Sequence, residues 1–322
     1  MKFSIGALTA IIICAACTNA ATSQANDAPA ASLRHVVDDS IRPLMLRYRI
    51  PGMAVAVTVA GKIYVFDYGV ASTNTRQPVT RDTLFEIGSV SKTFTATLAS
   101  WAEVDHRLSL SDKTAKYLPS LQGTPFGNVR LLNLGTHTPG GLPLQVPDDV
   151  TNDDELMLYL KRWRPAYPPG TYRTYSNPGI GMLGLITAKS MGQDFKVLID
   201  QQLFPALGMK NSFIKVPAAR IADYAQGYTE EGAPVRMSAG VLSSEAYGVK
   251  STAADLIRFV EANMNLIQLS DSLQRAVTQT HTGYFQAGPM TQDLIWEQYP
   301  YPVALDGYPK VMPLFEARSG SF

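Results

Sequence analysis

Phe85-Glu86-Ile87-Gly88-Ser89-Val90-Ser91-Lys92-Thr93-Phe94-Thr95-Ala96 sets a serine and a lysine three positions apart at the head of an apolar run. In a helix, residues i and i+3 lie one turn apart on one face, so the Lys92 amine can approach the Ser89 hydroxyl. A serine hydroxyl is a weak nucleophile at its own pKa and needs a neighbouring base. Lysine serves as that base only where burial or nearby positive charge lowers its own pKa. Gly88 permits a sharp backbone entry before the serine. The run Phe94 to Trp101 suits a buried helix, and a serine in its first turn meets the positive end of the helix dipole. The plainer reading of these residues is a helix start capped by Ser89.

Outward from this stretch, the periodicities alternate in type. Leu33, Val36, Val37, Ile41, Leu44 and Met45 recur at helical spacing between Ser32 and Tyr48, and Pro51-Gly52 ends that helix. Met53–Val59 and Ile63–Val70 read as two strands joined around Ala60-Gly61-Lys62, a hairpin by length and turn chemistry. Helix Ser89–Val104 follows a polar loop. Leu108–Asp154 is rich in Pro, Gly, Asp and Thr, and Thr136–Leu142 reads as a dense turn. Further helices are expected over Glu155–Arg164, Gly179–Met191, Phe195–Leu207 and Leu256–Met264, the last entered through a capping start at Ser251–Asp255. After Tyr299, Pro300, Pro302, Pro309 and Pro313 leave little that could be a central strand. The pattern is α/β (α+β): an antiparallel sheet lobe packed with helices, and a helical lobe.

With 322 residues, 46% hydrophobic and 17% charged, the chain can bury a substantial core. Setting aside Lys2 leaves 27 basic and 27 acidic residues, so neither a basic stripe for nucleic acid nor an acidic tail is expected. Lys2 and the apolar Ile5–Ala16 stretch, too short to span a bilayer, read as a signal peptide over residues 1–25. Thr18-Asn19-Ala20 and Ser23-Gln24-Ala25 are its candidate cleavage sites, and a periplasmic location follows. Both cysteines, Cys14 and Cys17, lie in this leader, so no thiol chemistry is expected of residues 26–322. Lipid anchoring at Cys17 is the alternative.

A second motif, Tyr175-Ser176-Asn177-Pro178, follows at a distance. A tyrosine can act as acid or base, and an asparagine amide can hold a substrate carbonyl. Its plainer reading is a helix cap, with Asn177 before Pro178 at the first helical position. Together, Ser89-x-x-Lys92 and Tyr175-x-Asn177 resemble the class C serine β-lactamases of the penicillin-binding protein superfamily. Ile50–Val57 looks like the family's opening strand, Leu142-Pro143-Leu144-Gln145 like its glutamine loop, and Glu245–Ser251 like its pocket-wall loop. The resemblance covers about residues 33–302; residues 303–322 form an atypical tail. His137-Thr138-Pro139 stands where the family usually carries Tyr-Thr-Ala, and Leu294-Ile295-Trp296-Glu297 where it carries Leu-Gly-Trp-Glu. Neither departure is expected to touch the chemistry.

The resemblance implies β-lactam hydrolysis through an acyl-enzyme on Ser89, with Lys92, Tyr175 or both taking its proton. It places Gln145 and Asn177 on the substrate's amide side chain and Tyr247 on an apolar pocket wall. It implies a monomer with no cofactor. No metal is expected, since His35, His106, His137 and His281 are scattered and read as surface or capping residues. The family's third element, Lys-Thr-Gly, does not occur in the sequence. Arg318-Ser319-Gly320 is the nearest substitute, and an unrelated tail left by truncation or a shifted reading frame is the plainer reading. The expectation is a shortened chain, poorly folded or nearly inactive, without the family's final strands and C-terminal helix. A D-Ala-D-Ala peptidase or esterase on the same scaffold, and a binding protein that has lost its chemistry, remain as alternatives.

Overall fold

The computed structural model describes residues 28–300. The expected signal peptide with Cys14 and Cys17, the later prolines and Arg318-Ser319-Gly320 lie outside the described residues. Helix α1 covers Ala28–Tyr48, beginning four residues before the expected Ser32. Strands β1 (Gly52–Val59) and β2 (Lys62–Gly69) pair antiparallel, Val59 opposite Lys62. The two turn residues, Ala60 and Gly61, both take positive φ (49° and 76°), the mirror-image turn that matches strand twist. Alternation along β1 then assigns its faces. Met53, Val55 and Val57 share a buried cluster with Val37 and Ile41 of α1, and Tyr68 donates to Asp38 Oδ1 at 2.7 Å. On the other face, Thr58 donates to Glu261 Oε1 at 2.8 Å.

A short ladder joins β3 (Phe85–Glu86) to a later strand, and α2 (Ser91–Val104) follows through a single 3₁₀ turn, Gly88–Val90. Helices α3 (Leu131–Gly135) and α4 (Asp153–Arg162) lead to α5 (Asn177–Met191). The expected helix Phe195–Leu207 is broken: α6 (Phe195–Leu198) passes through a π-helical turn, Ile199–Leu203, into α7 (Phe204–Ala206). Pro205, which cannot donate to the preceding turn, accounts for the interruption. The hairpin β4 (Gly227–Tyr228) with β5 (Pro234–Val235), α8 (Ser243–Ala246) and β6 (Lys250–Ser251) come next. Here β6 is the partner of β3. Helices α9 (Ala253–Asn263) and α10 (Asp271–Gln279) precede a meander of β7 (Phe285–Ala287), β8 (Met290–Gln292) and β9 (Glu297–Gln298). Thr252 caps α9, as the sequence indicates, accepting from Asp255 N at 3.1 Å. No described helix is long and apolar enough to cross a membrane.

Helix α2 lies between two cores. Ala96, Ala99 and Ala102 face a cluster with Leu131, Leu156, Leu160 and Ile186. Phe94 and Leu98 face a second with Phe204, Phe259 and Leu273. A helix apolar on both sides belongs at the centre of a molecule, and Ser91 through Ser100 are all buried. The polar groups of α2 are paired: Ser100 donates to Ala276 O at 2.8 Å and Thr95 to Glu245 O at 2.5 Å. This packing fixes where the N-terminus of α2, and the serine before it, must lie.

Candidate active site

The backbone around Ser89 is pinned to Val249, the residue entering β6. Ile87 N donates to Val249 O at 3.2 Å, Val249 N to Ser91 Oγ at 3.1 Å, and Ser91 Oγ to Gly88 O at 2.6 Å. Gly88 has φ +55°, where a side chain would be strained. Ser89 sits in the 3₁₀ turn rather than in α2, and it is no helix cap; Val90 holds that position without a side-chain bond. A 3₁₀ turn still stacks i on i+3. Lys92, 2% exposed, donates to Ser89 Oγ at 2.9 Å and to Ala246 O at 2.9 Å. Its Nζ stands 5.0 Å from the centre of the Tyr175 ring. Ser89, Lys92 and Tyr175 thus converge.

Tyr175 lies two residues before α5, and Ser176 between them is extended (φ −146°, ψ 122°). The helix cap is Ser176, not Asn177: Ser176 Oγ accepts from Gly179 N at 3.0 Å. The Asn177 side chain is left for other work; it is 7% exposed, and its Oδ1 has no hydrogen-bond partner among the described residues. Asn177 N donates to Leu144 O at 3.0 Å, which brings the loop of the exposed Gln145 beside it. The half-buried Tyr247 directly follows Ala246, and burial pushes its phenol pKa up. Arg318-Ser319-Gly320 lies outside the described residues.

His137 is a correction to the sequence reading. It is not a surface residue but 1% exposed, and it does cap a helix, taking the left-handed position (φ +57°) just past the end of α3. Its ring lies 4.4 Å from the Tyr175 ring at 39°, and its Nδ1 accepts from Ser176 N at 3.2 Å. The His-Thr-Pro departure therefore does reach the tyrosine. His281 is also half-buried, bonded to Asn263 Oδ1 at 2.8 Å. Burial first, then the charges of Arg173 and Lys92, hold His137 well below the usual histidine pKa. Arg173 in turn pairs with Glu297 and donates to Gln292 Oε1 at 2.6 Å, tying the tyrosine segment to β8 and β9. Burial raises Glu245, beside Ala246, to about 7. Sequence reasoning missed His137, Arg173 and Ala246. Ala246 acts through a backbone carbonyl, which leaves no signature in residue type. No group of three His, Cys, Asp or Glu residues is placed to hold a metal among the described residues.

Residues 37–318 match the family model described as Beta-lactamase, a span that runs past residue 302 into the tail. The chain belongs to the beta-lactamase family. It is 50% identical to a beta-lactamase of Pseudomonas fluorescens over 277 residues, 86% of this chain and 77% of that one. A crystal structure titled D-alanine carboxypeptidase AmpC from Burkholderia cenocepacia is 62% identical and superposes with TM-score 0.82, covering 86% of this chain and 77% of its own. A class C beta-lactamase in complex with cefoxitin is 51% identical, TM-score 0.83, with the same coverage. This beta-lactamase chain has the mixed helix-and-sheet fold of the class C structures, as its motifs imply.

Proposed function

We propose that the chain hydrolyses β-lactams through a covalent ester on Ser89. The observation that carries this is the single buried amine joining Ser89 Oγ to Ala246 O beneath the Tyr175 ring. Ser89 Oγ attacks the lactam carbonyl while Lys92 or Tyr175 accepts its proton. The ring C–N bond breaks, and the nitrogen leaves with a proton delivered through Tyr175. Water then attacks the ester and gives its proton to the Tyr175–Lys92 pair, which protonates Ser89 Oγ as the ester C–O bond breaks and releases it. Ser89 N, in the first turn of its helical segment, is one donor to the oxyanion, and removal of such a donor costs about 10²–10³ in rate. Family resemblance draws the second donor from a Lys-Thr-Gly strand, a tripeptide this sequence lacks. Asn177 and Gln145 hold the amide side chain of the substrate, and Tyr247 walls the pocket. The reading needs no cofactor or metal. Lys2 and the Ile5–Ala16 stretch support export to the periplasm, and the resemblance supports a monomer.

A second reading is favoured by two relatives. The 62% identical Burkholderia structure is titled a D-alanine carboxypeptidase, and a 52% identical one from Pseudomonas syringae a beta-lactamase/D-alanine carboxypeptidase. Both reactions share the acyl-enzyme and differ in how fast water reaches it. Purified protein is mixed with a chromogenic cephalosporin and, separately, with a fluorescent penicillin. Steady hydrolysis that falls at least about 10⁴-fold in Ser89→Ala supports the lactamase reading. A stable fluorescent adduct without turnover supports the carboxypeptidase, and no adduct at all overturns both.

A further inference from the structure

We propose that His137 is the positioning residue of Tyr175, a bracket that holds the peptide groups on both sides of the tyrosine and packs against its phenol ring. Three contacts made by this one residue carry the proposal. Thr174 N donates to His137 O at 2.8 Å, on the chain just before Tyr175. Ser176 N, just after it, donates to His137 Nδ1 at 3.2 Å. Between them the imidazole packs against the tyrosine ring, tilted by 39°, with centroids 4.4 Å apart.

The backbone supports the bracket. His137 has φ +57°, a left-handed conformation that a non-glycine residue holds only where its surroundings dictate it. Next to it, Thr138 O accepts from Gly170 N at 2.8 Å and Thr138 N donates to Asn133 O at 2.9 Å. The turn is therefore anchored independently of the imidazole, and the ring acts outward from a fixed base.

Acceptance by Nδ1 fixes the tautomer: the proton of the neutral ring sits on Nε2. The charged groups near the imidazole are Arg173 and Lys92, both cationic partners that disfavour a third positive charge. Protonation would also aim an N–H at the Ser176 N–H and break the bracket on one side. Phenylalanine keeps the ring and loses the acceptor. Asparagine keeps an acceptor and loses the ring.

The proposal rests on Tyr175 being a proton-transfer group for Ser89, and the experiment separates the two claims. Acylation by a fluorescent penicillin is measured for the full chain, for His137→Phe and for His137→Asn. Nitrogen NMR of the full chain reads the His137 tautomer and the Ser176 amide between pH 5 and 8. The tyrosine phenol titration is followed by NMR in all three proteins. Expected are the Nε2–H tautomer throughout, and an acylation rate about 10–100-fold lower in H137F at unchanged substrate affinity. The Tyr175 titration should shift in H137F, with partial return of both rate and titration in H137N. An Nδ1–H tautomer, or H137F acylating at the parent rate, overturns the bracket while leaving the acyl-enzyme intact. Absence of acylation in the parent chain instead sinks the proposed function. The tautomer and the phenol titration then still decide the bracket. If H137F does not fold, H137N carries the rate comparison: full loss of rate with an unmoved phenol titration overturns the proposal.

Discussion

Ile295 holds φ +71°, a left-handed backbone that costs a β-branched residue more than almost any other. Its N–H is fixed on Gly135 O at 2.9 Å, so the conformation cannot relax without breaking that bond. Glycine is ordinarily about 0.5–1 kcal/mol worse than alanine inside regular structure. Here the left-handed penalty, about 1–2 kcal/mol for any residue with a Cβ, outweighs it. I295G is expected to be more stable than I295A by about 0.5–1 kcal/mol, read from urea unfolding of both variants. The opposite order would place the strain elsewhere. This position shows how far single residues were legible in the sequence. The glycine that resemblance leads one to expect there exposes Ile295 as a departure, but only the dihedral shows its cost. Ser89 and Lys92 were legible because their partnership is local and needs only one turn. His137 was not, since its partners Thr174, Tyr175 and Ser176 are reached by a fold and not by a spacing.

Elements packed against α5 show the same division. That the helix ends at Gly192, φ +68°, follows from sequence chemistry, although its cap is Ser176 and not the expected Asn177. What its glycines are for does not. A Cβ on Gly184 would stand 2.8 Å from Glu245 Cγ and 3.0 Å from Thr95 Cγ2, and one on Gly181 2.7 Å from Leu242 Cβ. These two positions let the loop that carries α8 sit directly on the helix. Helix propensity alone favours Gly184→Ala by about 1 kcal/mol. Overpacking opposes it by about 1–3 kcal/mol, and the contacted atoms are near the backbone and give little. G184A is therefore expected to lose about 1 kcal/mol net in thermal or urea unfolding. It should also acylate more slowly, because displacing Glu245 displaces the Ala246 carbonyl that Lys92 holds. Unchanged acylation by fluorescent penicillin in G184A would show that the loop's place is immaterial. The hairpin β1–β2 was legible from alternation and turn residues alone. The break between α6 and α7 was not, because Pro205 can be met by a kink, a stop or a π turn.

At the scale of the molecule, one half-buried carboxyl sets a pH dependence. Burial raises Glu245 from 4.5 to about 7, with Asp194 and Asp153 adding to the same direction. In the unfolded chain the group ionises near 4.5, while the native state keeps its proton until about 7. The stabilisation is thus complete below pH 4.5, fades as pH rises, and is gone above about 7, a span on the order of 3 kcal/mol. Glu245→Gln should gain stability on the parent over that window and hold the gain constant beyond it, in urea unfolding from pH 4.5 to 8.5. A flat difference would remove Glu245 as the cause. The mixture of helix and sheet was readable from the order of helix and strand patterns. The central place of α2 between two cores follows from its apolar faces, Ala96-Ala99-Ala102 and Phe94-Leu98. Which loops meet at its head was not readable, since that depends on the packing of both cores at once. The grip of Lys92 on Ala246 O has one more consequence. Ala246 lies in the chain immediately before Tyr247, so on the proposed role of Tyr247 as the pocket wall, a bulky acyl group leaning on it also tugs the amine beside Ser89. Crowded antibiotics should then be distinguished by how fast they react rather than by how tightly they dock.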